Sequence, residues 1–460
     1  MHRIPLAACA IALVAAIPIA LRRADAAAEP SIIALTHATV IDGTGAAPRP
    51  NTTIVIRGTR IVQVATDADA RIPAGARTVD LRGRFVIPGL IDSHVHFGTQ
   101  PRPDNVLRGV MDALLMGGVT TMRDMGGALH VVQPLARASH DARTASPRIY
   151  YSAIMAGPGG WFDGERGRRM AGGYAPGDAP GVRRVGPGTD VRRVIADAKA
   201  AGVTGIKLYN SLSPALASAL AAEAHRQGLR VWSHFHLDDS RPMEVVAAGA
   251  DVVTHADMFV WEAMPTLPAG TEVEAQRLVR DSVIRVLSPG DARLRAVIAE
   301  MRRRGTMLDE TLYVVAGAAT DSAGRPSPRY APLLAFSVEM VRRAHAAGVP
   351  IAAGTDAAGG STPNLHAELQ LLVSRAGLTP LEAIRAATLN GARALGAQDS
   401  LGTLTAGKVA DLVVLSADPS RDIRNTQTVV SVMKGGVMRD RTRPLRTGPL
   451  ASPPPAADAR

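Results

Sequence analysis

Cysteine is almost missing from this 460-residue chain; the sole one is Cys9. No intrachain disulfide and no CxxC metal or redox site is available, so any metal must be held by His, Asp, Glu or a modified Lys. Aromatic residues make up only 3% of the chain, so its core must be built from Ala, Val, Leu and Ile. Lysine is scarce too: Lys199, Lys207, Lys408 and Lys434 are the only four, and the other 48 of the 52 basic residues are arginines. The formal net charge of +11 invites a nucleic-acid partner. The arginines are scattered, however, apart from a short cluster at Arg166, Arg168 and Arg169. Zinc-finger spacing, an RNP-like aromatic motif and a long basic helix are all missing. An arginine-rich composition explains the charge, and no nucleic-acid partner is expected. The chain also has no GxSxG elbow, which removes support for a serine nucleophile. Its 46% hydrophobic and 20% charged content is a globular balance, unlike that of a disordered, collagenous or polytopic membrane chain.

Residues 1–27 read as an export signal. Arg3 supplies the positive start, residues 4–21 form an apolar run containing Pro5 and Pro18, and Ala24-Asp25-Ala26 is an A-x-A cleavage site. A retained anchor is the alternative, because ~18 apolar residues can just span a bilayer. Leu6-Ala7-Ala8-Cys9 mimics a lipoprotein box but precedes most of the apolar run. The expectation is a periplasmic or secreted soluble protein, with no stable membrane insertion once the signal is removed.

The two ends of the remaining chain look alike and differ from the middle. Residues 32–35, 53–56 and 60–64 are β-branched runs broken by Gly and Asn turns, and similar runs return at 411–415 and 428–433. In between, short apolar strands at 120–123, 148–151, 205–208, 230–233, 251–254 and 350–353 alternate with helical stretches at 191–201, 214–227 and 334–347. Repeated βα units of this spacing predict a parallel sheet, and about 300 residues suit a closed (β/α)8 TIM barrel. The expected fold is therefore α/β. A barrel over 89–395 carries a small β-sandwich composed of N- and C-terminal segments, 28–88 and 396–441. Residues 442–460, with three consecutive prolines, are expected to be a disordered tail.

The strongest local signal is Val86-Ile87-Pro88-Gly89-Leu90-Ile91-Asp92-Ser93-His94-Val95-His96. In a strand, residues i and i+2 point the same way, so His94 and His96 project together at the end of the first barrel strand. Two imidazoles aimed at one point suit a metal, although HxH alone is weak. His234 follows Val231-Trp232-Ser233, His255 follows Val252-Val253-Thr254, and Asp356 follows residues 351–355. Each sits where a barrel strand delivers a side chain to the catalytic face. Lys207 lies inside the apolar strand Gly205-Ile206-Lys207-Leu208, a costly place for an amine that is neither neutralised nor paired.

PGLIDSHVHFG, GVTTMRDMGG, GIKLYN, VWSHFH, VVTHAD, GTDAAGG, LHAELQLLVSRAGLTPLEAIRAATLNGARALG and LGTLTAGKVADLVVL follow one another as they do in the amidohydrolase superfamily. The chain most resembles the branch of imidazolonepropionase-like proteins and Xaa-Pro dipeptidases, from about Leu35 to Met438. The resemblance implies the same barrel and small β-domain. It also implies two divalent metals, with zinc as the default and manganese or cobalt as alternatives. His94 and His96 would hold the more buried metal with Asp356; His234 and His255 would hold the second. Lys207, carbamylated by carbon dioxide, would bridge the two. Metals ~3.5–4 Å apart can acidify a bridging water. The hydroxide would attack a polarised substrate carbonyl, while Asp356 takes its proton and passes it to the leaving nitrogen.

Around these ligands, Tyr209 and His236 are each i+2 from one of them and should face the barrel mouth, as substrate contacts or as structural partners. Arg123 could pair with a substrate carboxylate or sit in an internal salt bridge. His366 and Glu368 resemble the family's HxEL segment; His366 is placed among the substrate contacts, and packing support is expected there. One loop departs from the pattern. Close dipeptidase relatives carry Gly-Gly-His-Gly after the third strand, whereas this chain reads Gly157-Pro158-Gly159-Gly160-Trp161-Phe162-Asp163-Gly164. Trp161 replaces that histidine and becomes a substrate contact, and dipeptide specificity is thereby open. The glycines there lack the following Lys-Ser/Thr of a phosphate loop. The leading expectation is an exported binuclear hydrolase that cleaves an amide in a small-molecule substrate, most plausibly a dipeptide or N-acyl amino acid, and that can form a homo-oligomer. The alternatives are a mononuclear deaminase or cyclic-amide hydrolase, an esterase or lactonase, and a non-catalytic scaffold.

Overall fold

The structure is a computed structural model that describes residues 31–441, except 100–102, 160, 161, 163, 266–272, 322–323 and 359–363. The export signal, Trp161 and the proline-rich tail lie outside the described residues.

Five strands open the chain: β1 (Ile32–Val40), β2 (Arg49–Arg57), β3 (Arg60–Thr66), β4 (Arg77–Asp80) and β5 (Phe85–Pro88). Eight strands of the middle region follow: β6 (Leu90–His96), β7 (Val119–Asp124), β8 (Arg148–Ala156), β9 (Gly205–Leu208), β10 (Arg230–His234), β11 (Val252–Thr254), β12 (Met307–Asp309) and β13 (Ile351–Ala352). The chain closes with β14 (Leu412–Leu415), β15 (Val429–Lys434) and β16 (Val437–Asp440). The first five and last three strands make one hydrogen-bonded sheet in which β14 lies antiparallel to β5. Alternate residues of β1, β2 and β14, such as Leu35, Ile54, Ile56, Leu412 and Val414, point into its own apolar core. The two ends of the chain thus build one small domain, as their similar β-branched runs imply.

Strands β6 to β13 pair in parallel and in chain order. The last strand returns to the first: Ser93 N donates to Ala353 O at 2.9 Å, and Ala357–Ala358 pairs with Val95–His96. This is a nearly closed (β/α)8 barrel. Helices such as Val191–Ala200, Pro214–Arg226 and Tyr330–Ala346 cover its outside. Their apolar faces meet outward-facing strand residues such as Ile206, Val231 and Leu308 in the main core.

Inside the barrel, successive inward positions separate packing from chemistry. Trp232, Val252, Met307 and Ala352 fill the lower part. Two residues further along their strands, His234 and Asp309 stand above Trp232 and Met307. Gly205 occupies the corresponding place under Lys207, where a Cβ would come within 2.6 Å of the Trp232 ring. The small residue leaves room for the indole and fixes the height at which Lys207 enters. Among the described residues, no helix is long and apolar enough to cross a membrane.

Candidate active site

The carboxyl ends of the barrel strands bring His94, His96, Lys207, His234, His255 and Asp356 together. His94 Nε2 lies 3.2 Å from His96 Nε2. Asp356 Oδ1 lies 3.4 Å from His94 Nε2 and 3.2 Å from His96 Nε2. Donors bound tetrahedrally to one ion at 2.0–2.1 Å would be spaced ~3.3 Å apart, so this triangle has the edge lengths of one face of a tetrahedral coordination shell. His255 joins it, since donor atoms of His94, His255 and Asp356 all lie within 4.8 Å of one another. On the other side, the His234 and His255 rings meet at 4.9 Å between centroids. Lys207 Nζ lies 3.5 Å from His94 Nε2. The donor set therefore fits a divalent metal.

Protonation suits the same purpose. Burial holds the His94 and His234 imidazoles well below the usual histidine range and pulls His255 down to about 4. Neutral imidazole is the metal-binding form. Exposure separates the roles: the side chain of His94 is 0% exposed and that of Asp356 is 20% exposed. Asp356 is thus the member of the triangle that also reaches the mouth.

Backbone strain concentrates on this face. Among the described residues, five of the seven non-glycine residues at positive φ, namely Ser211, Asp238, His255, Thr311 and Asp356, lie on segments that follow β9 to β13. Such conformations persist where surrounding contacts over-determine them and are typical of functional sites. At Thr311 one such contact is visible: its Oγ1 is 2.9 Å from His255 Nδ1.

Several supporting residues have no strong sequence signal. Asp309, fully buried, places Oδ2 3.0 Å from His94 Nδ1 and accepts from Arg123 at 2.7 Å. Burial pushes its carboxyl up to about 6, against the pull of Arg123. Gly354 makes room for this group, because a Cβ there would lie 2.3 Å from Asp309 Oδ1. His96 is oriented from behind, its Nδ1 lying 3.1 Å from Gly126 O. Asp124 accepts from Gly98 N and Gly126 N at 3.0 and 3.1 Å, tying together the loops after β6 and β7.

Two expected substrate contacts are corrected. Arg123 is fully buried, paired with Asp309, and stacked over Trp232 at 4.7 Å, so the internal salt bridge is its role and no substrate carboxylate reaches it. His366 points away from the mouth. Its ring bridges Thr426 Oγ1 at 3.0 Å and Gly117 O at 2.9 Å, at the amino-terminal end of β7. Glu368 likewise serves packing, accepting from the backbone N–H of Leu312 and Tyr313. Tyr209 and His236 do lie at the mouth. The Tyr209 ring sits 4.2 Å from that of His234. His236 stacks on Trp261 at 4.1 Å with 5° between planes, and Trp261 is a wall residue with no sequence signal.

A parallel barrel with a His-His-Asp group at the carboxyl ends of its strands is the frame of a metal-dependent hydrolase. The chain belongs to the amidohydrolase family, which matches residues 85–439, and it is a hydrolase acting on carbon–nitrogen bonds. It is 30% identical over 439 residues to ochratoxinase from Aspergillus niger, covering 85% of this chain and 83% of the relative. Imidazolonepropionase from Symbiobacterium thermophilum is 27% identical over 393 residues, covering 81% and 85%. Among solved structures, a prolidase in complex with N-methylphosphonate-L-proline superposes with a TM-score of 0.69 at 25% identity, covering 89% of this chain and all of the other.

Proposed function

We propose that this protein is an exported, binuclear metal-dependent amidohydrolase that cleaves the amide bond of a dipeptide or N-acyl amino acid. The observation that carries the reading is the donor triangle of His94, His96 and Asp356, with Lys207 Nζ 3.5 Å from His94. His94, His96 and Asp356 would hold one divalent ion, and His234 and His255 a second. Lys207, carbamylated by carbon dioxide, would bridge them. An amine buried in the barrel is poorly tolerated as an isolated cation; as a carbamate it becomes a carboxylate beside cations. Zinc is the default from four histidines. When bound, the ions would acidify a water and polarise the substrate carbonyl.

The chain's own groups then have distinct tasks. Asp356, partly open to the mouth, takes the proton the attacking water gives up and passes it to the leaving nitrogen. Tyr209 and His236 line the entrance, where they can hold the substrate's polar end. The amide reading is supported by relatives named ochratoxinase and prolidase. The imidazolonepropionase relatives favour a second reading, a one-metal cyclic-amide hydrolase; Lys207 speaks against it, because a single ion needs no bridging carboxylate.

The test is turnover of a panel of Xaa-Pro dipeptides, N-acyl amino acids and cyclic amides by the metal-loaded parent and Asp356→Asn. Removing a general acid–base group is worth about 10²–10⁴-fold, so the variant should lose at least a hundredfold in kcat. Full turnover by Asp356→Asn with metals bound would remove the proton-carrier role.

A further inference from the structure

We propose that Asp92 is a positioning residue for Asp356, acting through Thr355; the inference rests on the metal-hydrolase reading above. The barrel closes between β6 and β13, and β13 is only two residues long. One ladder bond, from Ser93 N to Ala353 O, joins the two segments at the lower side, and Asp356 N donates to His94 O at 2.8 Å at the upper side. Between these bonds lies Thr355, fully buried, whose backbone N–H donates to a side chain where a strand carbonyl would be expected. The Asp92 carboxylate takes its place. Oδ1 accepts from Thr355 N at 3.0 Å, and Oδ2 accepts from Thr355 Oγ1 at 2.8 Å. Oδ1 also accepts from His94 N at 3.2 Å. One carboxylate, 1% exposed, thus holds both the strand that bears His94 and the segment that bears Asp356.

The clasp acts where the backbone needs it. Asp356 has φ 49°, a left-handed conformation that is strained for a non-glycine residue and persists only when neighbours over-determine it. The residue just before it is fixed by two bonds to Asp92. Without them, Asp356 could relax toward ordinary φ, and its Oδ1 would leave the 3.2–3.4 Å triangle with His94 and His96. Asp92 touches neither substrate nor metal; it sets where Asp356 stands.

The test compares Thr355→Val, Thr355→Ser and Asp92→Asn with the parent. Zinc affinity is measured by competition with a chromophoric chelator, the visible spectrum is recorded after cobalt loading, and stability is measured by urea unfolding of the metal-free proteins. Loss of a group that orients a ligand costs about 10–100-fold in metal affinity. Asp92→Asn should fall in that range with a changed cobalt spectrum. Thr355→Val, which keeps the shape and removes only the hydroxyl, should show a smaller loss, and Thr355→Ser should restore the parent value. In an Asp356→Asn background, Asp92→Asn should cost little further affinity. If Thr355→Val and Asp92→Asn lower urea stability but bind zinc like the parent, Asp92 merely closes the barrel and the proposal is overturned. A parent that binds no metal would instead overturn the site reading itself, and this inference with it.

Discussion

Replacing Asp309 with Asn should separate the two tasks of one buried carboxylate. Its Oδ2 serves both Arg123, at 2.7 Å, and His94 Nδ1, at 3.0 Å, and all three side chains are inaccessible to solvent. The amide oxygen of Asn can stand where Oδ2 does and accept from both, with its NH2 at the position of Oδ1, which has no hydrogen-bond partner among the described residues; what the substitution removes is the negative charge. On the Arg123 side, breaking a buried pair costs about 3–5 kcal/mol, because a charge is left uncompensated. Arg123 retains bonds to Ser93 O and Ala394 O and its stack on Trp232, so the lower end of that range is expected. On the His94 side, the loss of an orienting carboxylate should weaken metal binding about 10–100-fold, equivalent to ~1.4–2.8 kcal/mol. Urea unfolding of chelator-treated protein reads the first effect; zinc competition reads the second. Arg123→Met with Asp309→Asn removes both charges, and such replacements are often neutral or stabilising. The double variant should recover most of the stability while its metal affinity stays low. Asp309→Asn that unfolds within about 0.5 kcal/mol of the parent, the range of an unremarkable surface change, and binds zinc within twofold would refute the reasoning.

Three other outcomes follow from the same contacts. Burial raises the carboxyls of Glu310 and Glu368 above the usual range, and the neighbouring Glu368 carboxyl raises that of Glu310 further. Their protonated forms are therefore favoured by folding: this contribution is complete below about pH 4 and is lost as pH rises through the raised values. Glu310→Gln should flatten the fall in unfolding free energy between pH 5 and alkaline pH, roughly, and an unchanged slope would contradict the assignment. His366→Ala removes two buried hydrogen bonds and should cost about 2–3 kcal/mol by urea unfolding, while metal content and KM stay at parent values; a raised KM would restore the substrate role for this residue. Dialysis against a chelator should abolish turnover, with recovery on adding zinc, and activity that persists without metal would rule out the proposed chemistry.

The sequence was most informative where chemistry and periodicity coincide. His94 and His96 sit two apart on a strand, and Lys207 interrupts an apolar strand in a lysine-poor chain, so their convergence was visible without coordinates. The predicted strands at 205–208 and 230–233 match β9 and β10 to within a residue. β12 was missed. It has three residues, Met307–Asp309, placed just after the arginine-rich helix Ala292–Arg304, and so short a run carries no alternation. With it went Asp309, whose partners lie 186 and 215 positions away in sequence. Asp92 lies two residues before the HxH motif, but its partner Thr355 is 263 positions away, and only barrel closure brings the two together. His366 illustrates the reverse case: a histidine on a family motif looked like a site residue, whereas its two ring nitrogens are used up at the amino-terminal end of the barrel.

The central claim is that Lys207 completes a two-metal centre. The most direct measurement is metal content per chain by elemental mass spectrometry, on the purified parent beside Lys207→Ala, after loading with zinc and bicarbonate. The account predicts two divalent ions in the parent and a clear fall in the variant. One ion in both would contradict it, leaving Lys207 without a bridging role and shifting the chemistry to a single-metal hydrolase.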